Sequence, residues 1–92
     1  MEYGGESMVR VLVIHLKKKV PKLDEKAKEE LMKKAQEVLK NYPGVQFKGT
    51  FVDENGIGVC DWEAPDAATV EKVVKELRVP YDKVVAVKQV LP

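Results

Sequence analysis

One imidazole and two carboxylates are the side chains of this sequence best suited to hold a metal. They are His15, the only histidine, and Asp61 and Glu63, which flank the single tryptophan. One nitrogen donor and two oxygen donors suit a borderline divalent metal ion. Asp61 and Glu63 stand one residue apart, so on a strand both point to the same face. The same carboxylates also suit proton transfer, because a carboxyl walled in by valines has a raised pKa. Their expected cross-strand partners, Thr50 and Lys48, give them the plainer task of fixing register. Cys60 has the opposite parity and is expected to be a small core residue, with nothing nearby in sequence to stabilise a thiolate. Lys17, Lys18 and Lys19 form a solvated charge run, and Gly56-Ile57-Gly58 precedes no helix and is therefore no phosphate loop.

Six elements must position these groups. Val9 to Leu16 is rich in β-branched residues, with Val9, Val11, Val13 and His15 on one face and Arg10, Leu12, Ile14 and Leu16 on the other. Both faces are largely apolar, which places the strand inside a sheet. If Leu12, Ile14 and Leu16 face the helices, His15 shares the open face with Asp61 and Glu63. The antiparallel course of the two strands then sets His15 nearer Ile57 and Val59 than Glu63.

Asp24 caps a helix that runs to about Tyr42, ahead of Pro43-Gly44, with Ala27, Leu31, Ala35, Val38, Leu39 and Tyr42 as its apolar stripe. Val45 to Asp53 forms a second strand, and Asn55-Gly56 is a strong hairpin signal. A two-residue turn there sets Phe47 opposite Ala64, Gly49 opposite Trp62 and Phe51 opposite Cys60 on the helix-covered face. Lys48 then meets Glu63, Thr50 meets Asp61 and Val52 meets Val59 on the other. Asp66 caps a second helix to about Arg78, striped by Val70, Val73, Val74 and Leu77, and Val84 to Leu91 is the last strand. The order βαββαβ, with right-handed crossovers around one hairpin, predicts a ferredoxin-like α+β sandwich: a four-stranded antiparallel sheet with both helices on one face.

Helices on one side leave the other in water. Val9, Val11, Val13, Val52, Ile57 and Val59 on that face predict a homodimer, since a chain of 92 residues has a thin core and rarely exposes so much apolar strand. Two stacked sheets would enclose a small shared cavity open to a small ligand.

Sixteen basic residues against fifteen acidic ones, interleaved along the helices, give no support to nucleic-acid binding. Charged residues make up 34% of the chain, chiefly Lys and Glu, the bias of proteins from thermophiles. With one cysteine, no apolar run of about 18 residues and no signal-peptide core, the chain is expected to be cytoplasmic, away from membranes, with a reduced thiol. Residues 1–7 are polar and glycine-bearing and are expected to be a disordered extension ahead of a true start at Met8.

Phe51-Val52-Asp53-Glu54, Val59-Cys60-Asp61-Trp62-Glu63-Ala64-Pro65-Asp66 and Val79-Pro80-Tyr81-Asp82-Lys83-Val84 together resemble a family of small ferredoxin-like domains of unknown function, one type of which is described as nickel-binding. The resemblance covers about the second half of the chain. It implies the fold, the dimer and a nickel-like cofactor. Where that family often carries a histidine on the second strand, this chain has Gly49, which leaves His15 as the substitute. The expectation is a non-catalytic dimer that binds a divalent metal or a small ligand through His15, Asp61 and Glu63. Its rivals are a cofactor-independent monooxygenase-like enzyme, with His15 or Asp61 as base in the cavity between sheets, and a ligand-sensing module.

Overall fold

The computed structural model describes residues 8–92; the expected extension at 1–7, ahead of the expected start at Met8, lies outside that range. The elements are β1 (Val9–His15), α1 (Glu25–Leu39), β2 (Gln46–Val52), β3 (Gly58–Ala64), α2 (Ala67–Leu77) and β4 (Lys83–Val87). The strands form one antiparallel sheet in the order β2-β3-β1-β4, the ferredoxin-like α+β arrangement.

Both helices begin at aspartates that satisfy amides of the first turn. Asp24 accepts from the Ala27 N–H at 2.7 Å, and Asp66 accepts from the Thr69 N–H at 2.8 Å and its hydroxyl at 2.7 Å. The Thr69 hydroxyl and amide hold the Asp66 carboxyl below its ordinary range. Helix α2 buries Val70, Val73, Val74 and Leu77 against Val11, Val13, Trp62 and Ala64, and this is the core. It ends at Arg78 in the left-handed conformation. Helix α1 behaves differently. Of its stripe only Ala35 is buried, and α1 packs chiefly on α2, barely on the strands. A cleft lies between α1 and the sheet. Tyr42 and Tyr81 brace α2 by donating their hydroxyls to Glu76 and Glu71.

Two expectations about faces are corrected. Val11 and Val13 are 0% and 1% exposed, so the helix-covered face of β1 carries Val9, Val11, Val13 and His15, while Arg10, Leu12 and Ile14 face the open side. The reason is Arg10. The opposite parity would drive its guanidinium under the helices, and a buried cation without a partner is far costlier than a valine.

The hairpin register also shifts by one. Gly56 N–H bonds the Asp53 carbonyl and Asp53 N–H bonds the Ile57 carbonyl, which makes a three-residue loop with Gly56 at φ +83°. The Asp53 carboxylate stabilises it by accepting the amides of Asn55 at 2.8 Å and Ile57 at 3.0 Å. Thr50 therefore lies opposite Cys60, Gly49 opposite Asp61 and Phe51 opposite Val59, so Phe51 points to the open side and is 62% exposed. A bulge at Lys48 absorbs one residue and restores Phe47 to the helix side, opposite Trp62. Their ring centroids are 4.8 Å apart. Strand β4 is shorter than expected and stops at Val87, leaving Val90 and Leu91 exposed.

Candidate metal centre

His15 closes β1, where pairing sets it opposite Gly58, and its side chain lies among buried residues at 0% exposure. The parity that turns it inward brings it to Cys60 on the neighbouring strand. His15 Nε2 lies 3.3 Å from Cys60 Sγ, and the Thr50 hydroxyl lies 3.1 Å from that sulfur on its other side.

The protons of this row follow from what each end can do. His15 Nδ1 is 3.3 Å from the Lys18 carbonyl, which only accepts, so Nδ1 carries the hydrogen and the lone pair sits on Nε2, facing the sulfur. Burial pushes the Cys60 thiol above its ordinary pKa, and the Thr50 hydroxyl offsets that in part. In this arrangement the Cys60 thiol keeps its proton and faces His15 Nε2. An activated thiolate nucleophile calls for the reverse, a pKa depressed by a positive neighbour.

A third residue sets the imidazole from a distance. Asp82 Oδ2 accepts the amides of Leu16, Lys17 and Lys18 at 2.5, 2.9 and 3.1 Å, which wraps the loop after β1 around one oxygen and aims the Lys18 carbonyl at Nδ1. Those amides, Leu16 foremost, hold the Asp82 carboxyl below its ordinary range. Such an outer partner fixes the tautomer of a histidine ligand. Asp82→Asn keeps the shape and loses the charge. The native carboxylate stabilises the fold above its ordinary pKa of 3.8 and loses that contribution as pH falls through its lowered value. The stability gap between native protein and variant should therefore close under acid, as followed by circular dichroism.

His15, Asp61 and Glu63 are not brought together. Asp61 and Glu63 occupy the open face, as expected from their spacing, whereas His15 is on the helix side. Asp61 is also committed: Arg10 grips it with two hydrogen bonds, Nε to Oδ1 at 3.0 Å and Nη2 to Oδ2 at 2.9 Å. Among the described residues no three His, Cys, Asp or Glu side chains are grouped as a metal site. Sequence reasoning missed the His15–Cys60 pair although it assigned Cys60 to the correct face. The available signal was Arg10, whose charge decides the parity of β1. Asp82 carried no such signal, because the amides it serves lie 64 to 66 residues away.

The pair fits part of a metal shell. Nitrogen and thiolate ligands at ordinary bond lengths stand about 3.1 Å apart in a square plane and about 3.6 Å in a tetrahedron. The observed 3.3 Å lies between the two. No helix among the described residues is long and apolar enough to cross a membrane. A family model described as nickel responsive protein SCO4226-like matches residues 14–87, a span that takes in His15, Cys60 and Asp82. No curated protein and no solved structure matches the chain significantly.

Proposed function

The chain belongs to the SCO4226-like family of nickel responsive proteins, and from that premise we propose that it is a small, non-catalytic homodimer that takes up nickel or a similar divalent ion through His15 Nε2 and Cys60 Sγ. The observation that carries this reading is the 3.3 Å approach of the two donors, with Nδ1 already committed to the Lys18 carbonyl. Imidazole and thiolate suit nickel better than the carboxylates of the open face. Bound there, the ion would be a fixed charge joining β1 to β3 on the helix-covered face, with water completing its shell. The pair itself contributes orientation and a released thiol proton.

Calorimetric titration of chelator-treated protein with nickel tests this. One ion per chain at micromolar affinity or tighter is expected. His15→Ala should lose about 100-fold, because an apparent 10–16 kcal/mol shared among four ligands assigns roughly 2.5–4 kcal/mol to each. Absence of heat with the native protein overturns the reading.

The homodimer rests on the open face. Leu12, Ile14, Phe51, Val59, Val85 and Val87 lie there, and Phe51 is 62% exposed. The Arg10–Asp61 pair among them is satisfied within each copy, so it can be covered without stranding a charge. Phe51→Lys should convert the dimer to a monomer in sedimentation equilibrium. A native protein that sediments as a monomer at micromolar concentration would rule the dimer out.

A further inference from the structure

The sulfur of the metal pair has a further neighbour to which no function has yet been given. The Thr50 hydroxyl lies 3.1 Å from Cys60 Sγ, so the row His15, Cys60, Thr50 runs across β1, β3 and β2. Strand register puts it there. The three-residue hairpin loop sets Thr50 opposite Cys60, whereas a two-residue loop would have set it opposite Asp61 on the open face. Threonine is also stiff at χ1, so the hydroxyl is held where the backbone aims it. Cys60 is buried and Thr50 is exposed, and both line the cleft beneath α1.

What this contact does depends on the state of the sulfur. In the free protein either atom can supply the hydrogen, and a thiol sulfur is only a weak acceptor. Metal uptake removes the thiol proton. A thiolate can only accept, so the hydrogen between the two atoms must then come from the Thr50 oxygen. The bond also changes class, because a hydrogen bond to an ionised group is about twice as strong as a neutral one. An interaction that is stronger in the bound state than in the free one adds to affinity. We propose that Thr50 is a positioning residue of the metal pair, its hydroxyl donating to the Cys60 thiolate that uptake creates, a role that rests on the metal reading above. The edge strand β2 then takes part in holding the ion, although neither donor atom lies on it.

Thr50→Val keeps the shape and loses the hydroxyl, whereas Thr50→Ser keeps the hydroxyl. Nickel is titrated into the chelator-treated full chain of each and of native protein, followed by calorimetry and by the sulfur-to-nickel charge-transfer absorption. Thr50→Val is expected to bind about tenfold more weakly, the lower end for loss of a ligand's hydrogen-bond partner. Its absorption should move to longer wavelength, because a thiolate without a donor gives up charge more readily. Thr50→Ser should restore both. A packing role alone would leave the absorption unmoved, since valine fills the same space and suits a strand. On native protein alone, exchanging the hydroxyl hydrogen for deuterium should shift the nickel–sulfur stretch in the resonance Raman spectrum, and an unshifted stretch would overturn the proposal whatever the variants do. Equal affinity with an unmoved absorption in Thr50→Val, or a Thr50→Ser that behaves like it, would overturn it while native protein still binds nickel. Native protein that takes up no nickel fails earlier, at the metal reading, and takes this proposal with it.

Discussion

Nickel affinity is expected to rise about tenfold for each pH unit between 7 and 8 on account of Cys60 alone, and Cys60→Ala to remove that dependence together with about 1,000-fold of the affinity. The argument begins with burial. Cys60 is 8% exposed between Val13 and Thr50 on the covered face of the sheet, and its pKa is raised above 9.0 because the charged form loses water there. At neutral pH the sulfur holds a proton. A metal takes the thiolate, so every ion bound expels that proton, and higher pH favours binding until the thiol ionises without help. Metal-free protein runs in the opposite sense. Its folded thiol pKa lies above the unfolded value, so the unfolded chain ionises first and stability falls as pH rises past about 9. Calorimetric titrations at several pH values on native and Cys60→Ala protein read the first effect, and urea unfolding at alkaline pH reads the second. A pH-independent affinity in the native protein would remove Cys60 from the metal shell.

Gly58→Ala is expected to be the most damaging small substitution in the hairpin. A Cβ at Gly58 would stand 2.0 Å from the Phe51 carbonyl oxygen and 2.8 Å from the Val52 Cα. Both are backbone atoms of β2, which cannot swing aside as the end of a flexible side chain would. Strands β2 and β3 must part where Val52 meets Gly58, beside the three-residue loop and one residue from Val59. Overpacking of this kind is worth about 3 kcal/mol at its upper range. For a domain of this size that lowers the unfolding temperature by roughly 12–24 °C. Differential scanning calorimetry measures it directly. A shift of only a degree or two would mean that the strands separate there without penalty.

How much of this was legible depended on whether a residue's neighbours were near in sequence. Asp24 and Asp66 announce their helices because the amides they cap lie three residues on, and the stripe of α2 is written at helical spacing. The faces of β3 followed from alternation, since Cys60, Trp62 and Ala64 are apolar where Asp61 and Glu63 are not. Strand β1 offered no such contrast. Valines on one side and Leu12 and Ile14 on the other are equally apolar, so the choice rested on Arg10 alone, and the wrong choice carried His15 to the wrong side of the sheet. The hairpin failed for a different reason. Asn55-Gly56 is compatible with a two-residue and a three-residue loop, and the Asp53 carboxylate, by accepting from Asn55 and Ile57, selects the longer one. One residue of slip then moved Phe51 into the open, and the bulge at Lys48 spared Phe47 the same fate. A single charge and a single carboxylate decided what periodicity left undecided.

Asp82 joins the two ends of the chain's history. A ribosome makes β1 well before β4, yet the carbonyl that orients His15 is held in place by a carboxylate at the threshold of β4. While β4 is still unmade, the histidine and the cysteine can already exist in one polypeptide, but the imidazole lacks the Asp82-held carbonyl that fixes its tautomer. Competence at the pair is therefore a late event of synthesis. A nascent chain, or one clipped ahead of Asp82, would present the His15 imidazole without that restraint.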